Sequence, residues 1–212
     1  MKGMVIIMVV TRFEELEQSK VKVYIDEEYA FLLYQKDIKQ YKLEEGAVIT
    51  SENYVKIIED TVFRRAKQKA VAILKFMNRT EQELRKKLSE AEYTDSIIDR
   101  TIAYLYEYGY IDDERYAAAF VRSKMNTKSK LVIKTLLIQK GINKEIINNI
   151  FMAEYSDDDK EDPELLAIKR AIAKKTKSLE DLTPEKKQKL LASLYRKGFD
   201  LSKIKQILFE ER

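Results

Sequence analysis

Hydrophobic residues follow one spacing in the first fifty residues of this chain and a different spacing in the longer remainder. In the first part, the apolar run MVIIMVV at 4–10, the alternating KVKVYID at 20–26 and YAFLLY at 29–34 are typical of strands. In the second part, apolar residues recur every three or four positions, as they do on one face of a helix. Ser51 is the predicted N-cap of the first long helix. The pattern therefore predicts a small sheet followed by helices.

The helical part repeats one apolar pattern three times. Its four positions are separated by five, five and four residues: Leu88–Tyr93–Ile98–Ile102, Leu137–Ile142–Ile147–Phe151 and Leu194–Phe199–Ile204–Leu208. In each copy a residue of the N-cap type follows the second position, namely Thr94, Asn143 and Asp200. The second and third positions then form a hydrophobic staple at the turn between two helices. Each copy therefore predicts a helix, a tight turn and a second helix, with a further helix ahead of them.

This repeat gives the predicted organisation of the whole chain. The fold class is mainly α, with three tandem three-helix modules in an elongated array after a small N-terminal β-sheet or hairpin region. The predicted bounds are 1–50 for the β-rich region, 51–111, 112–156 and 163–212 for the modules, and 157–162 for an acidic linker. Because the β-rich region is net acidic and continues into the modules through a single helix, we expect it to be separable from them.

The segment YGYIDDERYAAAFVRSKM at 108–125 places two adjacent carboxylates after a glycine, as an active-site loop would. Gly109 and Asp112 are also suited to end one helix and to cap the next. Adjacent carboxylates do not converge on one substrate when they begin a helix. We therefore interpret this segment as the joint between the first and second modules.

Four tyrosines alternate before this joint: Tyr104, Tyr106, Tyr108 and Tyr110. Residues two apart point to opposite sides of a helix, so we expect Tyr104 with Tyr108 in one stripe and Tyr106 with Tyr110 in another. In one interpretation, one stripe packs inside the module and the other seals modules one and two together. In the alternative, a stripe stacks on nucleic-acid bases or contacts a partner.

The composition excludes most kinds of catalytic site. The chain has no histidine and no cysteine, and it contains no glycine-rich phosphate-binding loop. An all-carboxylate magnesium site in the acidic segment 157–162 is the remaining candidate, and a solvated linker explains that segment more simply. We predict no catalytic residue, no metal and no cofactor. The apolar run at the N-terminus is too short to span a bilayer, so we expect a cytoplasmic protein.

Positive charge is concentrated in the middle of the chain. The net charge is only +4, but residues 61–80 and 115–144 contain no acidic residue at all. We predict that the second window forms a surface for a polyanion or an acidic partner. The candidate residues of this basic surface are Arg115, Arg122, Lys124, Lys128, Lys130, Lys134 and Lys140. The secondary candidates are Arg79, Arg85, Lys86, Tyr106 and Tyr110.

Three motifs stand out in the helical part of the chain, GYIDDERYAAAFVRSK at 109–124, RTEQELRKKL at 79–88 and LIQKGI at 137–142. They resemble motifs of the RecX family, the bacterial regulators of the RecA recombinase. In this chain Tyr116 and Lys124 replace the more usual Phe and Arg, and Ser129 lies where a glycine commonly precedes the helix. The resemblance extends over most of the chain.

The resemblance implies a function in homologous recombination and DNA repair. RecX-like proteins are non-enzymatic modulators that bind RecA filaments along the helical groove and reduce ATPase activity, strand exchange and filament extension. We therefore expect the RecA filament as partner, weak binding to single- and double-stranded DNA alone, and a monomer. The residues by themselves leave another function open, namely direct, sequence-nonspecific DNA binding through the basic face of helix-turn-helix-like modules. A passive scaffold for other helical proteins is the third possibility.

Overall fold

The computed structural model describes residues 7–155, 162–176 and 178–209. The chain forms two compact units, and the boundary between them lies between Ile111 and Asp112. The first unit contains the N-terminal sheet and one three-helix module, and the second unit contains the other two modules. The predicted fold class, a mainly α chain of tandem three-helix modules after a small N-terminal sheet, is confirmed.

The sheet consists of antiparallel strands in the order β3-β2-β1-β4. The strands are β1 (Met8–Leu16), β2 (Lys20–Ile25), β3 (Glu28–Tyr34) and β4 (Val48–Ile49). Asp26 and Glu27 both have positive φ, so a tight two-residue turn joins β2 to β3. Strand β1 continues well beyond the apolar run that predicted it, because its later residues pair with β2 along their full length.

The first unit contains five α-helices in its described residues. They are α1 (Gln35–Tyr41), α2 (Ser51–Ile57), α3 (Arg64–Phe76), α4 (Glu81–Ser89) and α5 (Asp95–Glu107). The N-cap of α2 is Thr50, whose hydroxyl accepts a hydrogen bond of 3.2 Å from the Asn53 N–H. The predicted cap at Ser51 is therefore wrong by one residue.

A π-helical turn, Ile58–Phe63, joins α2 to α3. Such a turn inserts one extra residue into the helical ladder and rotates the residues before it relative to those after it. Ile57 is consequently buried, whereas Val55, which the regular helical spacing predicts on the inner face, is 54% exposed. Beyond the turn, Ala66 packs with the sheet and Ala70 with the first module's own core.

The sheet and the helices after it share one buried cluster. The sheet residues of this cluster are Val10, Val23, Ile25, Phe31, Leu33 and Ile49, and the helical residues are Ile57, Val62, Ala66 and Ile97. Arg65 on α3 also holds the Asp37 carboxylate of α1 through two hydrogen bonds of 2.5 and 2.9 Å. This shared core argues against the expected separability of the sheet, because the sheet covers apolar side chains of the first module.

The second unit contains six α-helices in its described residues. They are α6 (Asp113–Lys124), α7 (Lys130–Gln139), α8 (Lys144–Glu154), α9 (Pro163–Ala173), α10 (Pro184–Tyr195) and α11 (Leu201–Phe209). Helices α6 to α8 enclose one hydrophobic cluster, and α9 to α11 enclose another.

The repeated turns have the predicted construction, with one exception. Each staple pair, Tyr93 with Ile98, Ile142 with Ile147 and Phe199 with Ile204, packs in a single cluster. Asn143 accepts a hydrogen bond of 2.8 Å from the Glu145 N–H, and Asp200 accepts one of 3.1 Å from the Lys203 N–H. Thr94 makes no such capping bond.

Candidate functional surface

The two carboxylates of the 108–125 segment belong to a helix terminus. Gly109 has a φ of +66°, a conformation that ends α5 and that residues with a side chain rarely adopt. The Asp112 carboxylate accepts a hydrogen bond of 2.8 Å from the Arg115 N–H and so caps α6. The interpretation of this segment as a joint between helices is confirmed.

The four tyrosines do not form two stripes. Helix α5 ends before Tyr108, so the chain turns and both Tyr108 and Tyr110 pack near Tyr104, with ring centroids 4.5 and 6.2 Å from it. Tyr106 instead donates a hydrogen bond of 2.9 Å to the Glu81 carboxylate. The predicted pairing of Tyr106 with Tyr110 is wrong, and Tyr108, 61% exposed, is the most accessible of the four.

The secondary candidate cations lie on or just before α4, and they are Arg79, Arg85 and Lys86. Arg79 lies 3.8 Å from the Glu83 carboxylate. Arg85 is held by hydrogen bonds of 2.6 Å to both Asp99 and Glu81, and these bonds raise its pKa. Lys86 is exposed. Of these three side chains, Arg85 is thus occupied by acids of its own module.

The fold brings an acidic residue from elsewhere in the chain next to a cation of the acid-free window 115–144. The Arg122 guanidinium lies 2.8 Å from the Glu154 carboxylate at the end of α8. Lys134 points to the same helix, with its Nζ 3.5 Å from the Asn148 side-chain oxygen and 5.0 Å from the centre of the Phe151 ring. Arg122 and Lys134 are therefore directed toward α8.

Lys130 lies in a joint between the second and third modules. Its N–H donates a hydrogen bond of 3.3 Å to one oxygen of the Glu164 carboxylate, which is only 3% exposed. The other oxygen of Glu164 lies 3.3 Å from the Lys203 Nζ. Lys203 also pairs with Asp162, the N-cap of α9. Glu164 thus connects the start of α7 to α11, and we call these four residues the carboxylate joint.

The electrostatics of the carboxylate joint follow from its burial and its ion pairs. Burial by itself would raise the pKa of Asp162, but the hydrogen bonds from Lys203 and from the Glu164 N–H outweigh it and lower that pKa. Burial would lower the pKa of Lys203, and its carboxylate partners raise it instead. Burial, aided by the neighbouring Lys203 charge, lowers the pKa of Lys130. The Lys130 Nζ lies 4.2 Å from the centre of the Tyr155 ring, so this ammonium is directed toward an aromatic side chain of its own module.

A second contact fastens the same two modules. Ser129, the N-cap of α7, donates a hydrogen bond of 2.8 Å to the Lys197 carbonyl after α10. Gly198 follows with a φ of +79°, and a Cβ built there would lie 3.0 Å from the Ser129 hydroxyl oxygen and 3.2 Å from the Leu131 side chain. The glycine thus allows the two turns to approach this closely.

Three cations without an acidic partner among the described residues lie around the turn between α6 and α7. Lys124 ends α6, Lys128 lies in the turn, and Arg170 of α9 donates a hydrogen bond of 3.3 Å to the Asn126 carbonyl of that turn. Within the described parts of the chain, none of the three has an acidic side chain within 4 Å. We call Lys124, Lys128 and Arg170 the turn surface. Its third member was missed by the sequence analysis because α9 lies outside the acid-free window.

The remaining two candidates lie away from the turn surface. Arg115 is in the first turn of α6, ~13 Å along the helix axis from Lys124 at 1.5 Å per residue. Lys140 ends α7, with its Nζ 5.4 Å from the centre of the Tyr116 ring. The fold therefore distributes the predicted basic surface over several places.

The candidate metal segment 157–162 lies outside the described residues, except for Asp162. Among the residues that are described, no group of three or more Asp, Glu, His or Cys side chains could hold a metal ion. In the same ranges, no helix is both long and apolar enough to cross a membrane.

Family models of RecX match the helical part of the chain in sequence order. The first three-helix domain matches residues 66–105, the second matches 112–149 and the third matches 162–208. The three matches fall on the three structural modules described above.

Whole-chain relatives and solved structures agree with these matches. The regulatory protein RecX of Clostridium acetobutylicum is 33% identical over 206 residues, 95% of each chain. That of Caldanaerobacter subterraneus subsp. tengcongensis is 32% identical over 203 residues, 95% of this chain and 98% of the relative. A crystal structure of regulatory protein RecX has the same fold, with a TM-score of 0.62 at 24% identity over 96% of this chain and 100% of its own. RecX from Lactobacillus salivarius covers 69% of this chain and 96% of its own, with a TM-score of 0.57 and 27% identity.

Proposed function

Since this chain belongs to the RecX family of regulatory proteins, we propose that it is a non-enzymatic modulator of the RecA recombinase. In this proposal it binds along the groove of the RecA–DNA filament and reduces ATP hydrolysis, strand exchange and filament extension. The observation that carries the proposal is the extent of the relationship, because the relatives match nearly the whole chain and the family's three domains occur in order.

The turn surface is the part of the second unit that we assign to filament contact. Lys124, Lys128 and Arg170 present positive charge that no described acidic side chain neutralises. In a filament groove such charge meets phosphates or acidic side chains of the recombinase. Phosphate contacts release counterions, so each one contributes about −0.9 to the slope of log affinity against log salt on duplex DNA, and about −0.7 on single strands.

A titration of recombinase ATPase activity tests the proposal. RecA is assembled on single-stranded DNA with ATP, and the present protein is added in increasing amounts while phosphate release is recorded. We expect ATP hydrolysis to fall and the protein to co-sediment with the filament. Unchanged hydrolysis together with no binding to the assembled filament would overturn the proposal.

The alternative function, direct sequence-nonspecific DNA binding, is favoured by the same turn surface, since phosphates alone could satisfy it. The two functions differ in what they require. A DNA-binding protein holds bare single-stranded and duplex oligonucleotides at physiological salt without recombinase. A filament modulator binds them weakly and gains affinity when the recombinase is present. Fluorescence anisotropy with and without RecA distinguishes the two.

A further inference from the structure

The first unit contains an open groove of about 1180 Å³ that the proposed function does not use. One wall is the sheet, with Leu16 at the end of β1 and Leu32 and Tyr34 on β3. The facing wall is α3, together with the turn between α4 and α5. We call this cavity the sheet–helix groove.

The lining of the sheet–helix groove is partly apolar and includes an exposed aromatic residue. Leu16, Leu32, Val62 and Ile73 contribute aliphatic side chains to its lining. Phe76, the last residue of α3, also lines the groove and is 91% exposed, the highest exposure among the large hydrophobic residues described. A concave apolar surface next to an exposed aromatic side chain marks a binding site.

The groove also has unbalanced positive charge. Its acids Glu90 and Glu92 are already engaged, the first 4.0 Å from Lys87 and the second 3.2 Å from Lys22. By contrast, Lys20 and Lys69 line the groove without an acidic side chain within 4 Å in the described ranges.

Arg79 adds an incompletely satisfied cation to the same groove. Its nearest carboxylate, that of Glu83, lies at 3.8 Å, which is longer than a hydrogen bond. Its Nε is buried and has no hydrogen-bond partner in the described structure. The buried Nε is out of a ligand's reach, but the Arg79 side chain is 27% exposed, so the accessible part of its guanidinium can pair with a carboxylate brought in by a ligand.

We propose that the sheet–helix groove binds an extended peptide segment of a partner protein that carries carboxylates next to large apolar side chains. The aliphatic lining and Phe76 suit the apolar side chains, and Lys20, Lys69 and Arg79 suit the carboxylates. Strand β3, which contributes Leu32 and Tyr34 to the lining, lies at the edge of the sheet and is paired on only one side in the described structure. An extended segment could add hydrogen bonds to that edge.

A nucleic acid fits the groove less well than such a peptide. Glu17, Glu90 and Glu92 line it together with the cations, so its charge is not uniformly positive. A nucleic acid carries a negative charge at every nucleotide and would meet these acids along its length, whereas a peptide can place its carboxylates opposite the cations alone. The aromatic lining residues Tyr34, Phe76 and Tyr93 share the groove with aliphatic and acidic side chains. Single strands are instead bound by stacking on aromatic rings along a continuous positive groove. The observations therefore favour a peptide.

Selection from a phage-displayed library of random peptides tests the proposal on the intact chain. We expect enriched sequences to combine acids with Leu, Ile or Phe. The variants Phe76→Ser and Lys69→Glu each change an exposed side chain of the groove. Each should raise the dissociation constant of the selected peptides at least tenfold, and a tenfold change corresponds to ~1.4 kcal/mol of binding free energy. Circular dichroism melts check that both variants fold like the wild type.

Matched controls are available on the same chain. Met152→Ser removes an exposed apolar side chain elsewhere, and Lys56→Glu reverses an exposed charge on α2 outside the groove lining, so both should leave binding unchanged.

The proposal is overturned if selection enriches no acidic–apolar pattern, or if the groove variants bind the peptides as tightly as the controls. It is also overturned if oligo(dT) displaces the peptides and loses its own affinity with the same variants. No recombinase is present, so this result is independent of the proposed function.

Discussion

The hydroxyl of Ser129 donates a hydrogen bond of 2.8 Å to the carbonyl of Lys197, although 68 positions separate the two residues. The same hydroxyl accepts a hydrogen bond of 3.3 Å from the Val132 N–H and so caps α7. The start of a helix in the second module is therefore held against the turn that ends α10 in the third. This contact and the carboxylate joint together hold the second and third modules in one compact unit.

Gly198→Ala should lower the stability of the second unit by more than the cost of placing an alanine at positive φ. An alanine at positive φ costs about 1–2 kcal/mol, and its Cβ would also press against Ser129 and Leu131 at 3.0–3.3 Å. We expect a further loss of about 1–3 kcal/mol from overpacking. Urea unfolding, combined with hydrogen exchange on the second unit, measures the loss in the free energy of unfolding. The matched variant is Gly109→Ala, where φ is also positive but no atom lies within 4 Å of the added Cβ. Equal losses in the two variants would show that the close approach at Gly198 is unimportant.

Lys203→Met should leave the buried Glu164 carboxylate without its cation. Breaking a buried ion pair costs about 3–5 kcal/mol, and we expect about 3 because Lys203 is partly exposed. In the Glu164→Gln background the same change should cost less than about 1.5 kcal/mol, since an amide needs no counter-charge. A double-mutant cycle from denaturant midpoints gives the coupling between the two side chains. Additive losses would argue against an ionic role for this pair.

Acid should destabilise the first unit through Asp37. Burial would raise the pKa of this carboxyl, but the hydrogen bonds from Arg65 and the Tyr34 N–H lower it below its ordinary value of about 3.9. A lowered folded-state pKa contributes stability that is present above the unfolded pKa and is lost as the pH falls through the folded pKa. The melting temperature of the first unit should therefore fall below about pH 4. Asp37→Asn should be less stable at neutral pH and should show a shallower fall in acid. Identical pH profiles for the two proteins would contradict this role.

Removal of the sheet should unfold the first module. A fragment of residues 50–212 lacks the strands that cover Ile57, Val62 and Ala66 in the shared cluster. We expect the helices up to residue 111 to lose fixed packing and to bind a hydrophobic dye. A fragment of residues 112–212 is the control, because it corresponds to a separate compact unit and should melt cooperatively. A cooperative, dye-free first module in the longer fragment would show that the sheet is dispensable.

Reversal of the turn surface should weaken inhibition of the recombinase without unfolding the protein. The triple variant Lys124→Glu, Lys128→Glu, Arg170→Glu changes side chains with no described ion pair and removes one exposed hydrogen bond, from Arg170 to the Asn126 carbonyl. The free energy of unfolding should therefore fall by no more than about 0.5–1.5 kcal/mol. ATPase inhibition should fall sharply, and the salt dependence of filament binding should become flatter. Reversal of Lys186, Lys187 and Lys189 adds the same charge on α10. Equal loss in both variants would mean that only net charge matters.

Local features of the fold could be predicted from the sequence because they depend on neighbours in the chain. The staple of Phe199 with Ile204 and the caps at Asn143 and Asp112 are set by residues only a few positions apart. The cap of α2 was placed one residue late because Thr50 and Ser51 are both good N-cap residues and only the backbone decides between them.

The candidate surface was harder to predict, because charges far apart in sequence meet in the fold. Arg122 lies in a window without acids, yet its partner Glu154 is 32 positions away. Glu164 was given no role in the sequence analysis, and it is a buried carboxylate between two modules. No count of charges within a window contains this information. The recombinase enters as the proposed partner only through the family resemblance, because the residues alone do not indicate it.

The π-helical turn at Ile58–Phe63 affects how this chain should be aligned with other sequences. An uninterrupted α-helix advances about 100° per residue, so one additional residue changes which side chains before the turn point toward the sheet. A relative with a regular helix here requires a one-residue gap within 58–63. Without that gap, the alignment would match Ile57 with a solvent-facing position and would score a conserved core position as a substitution.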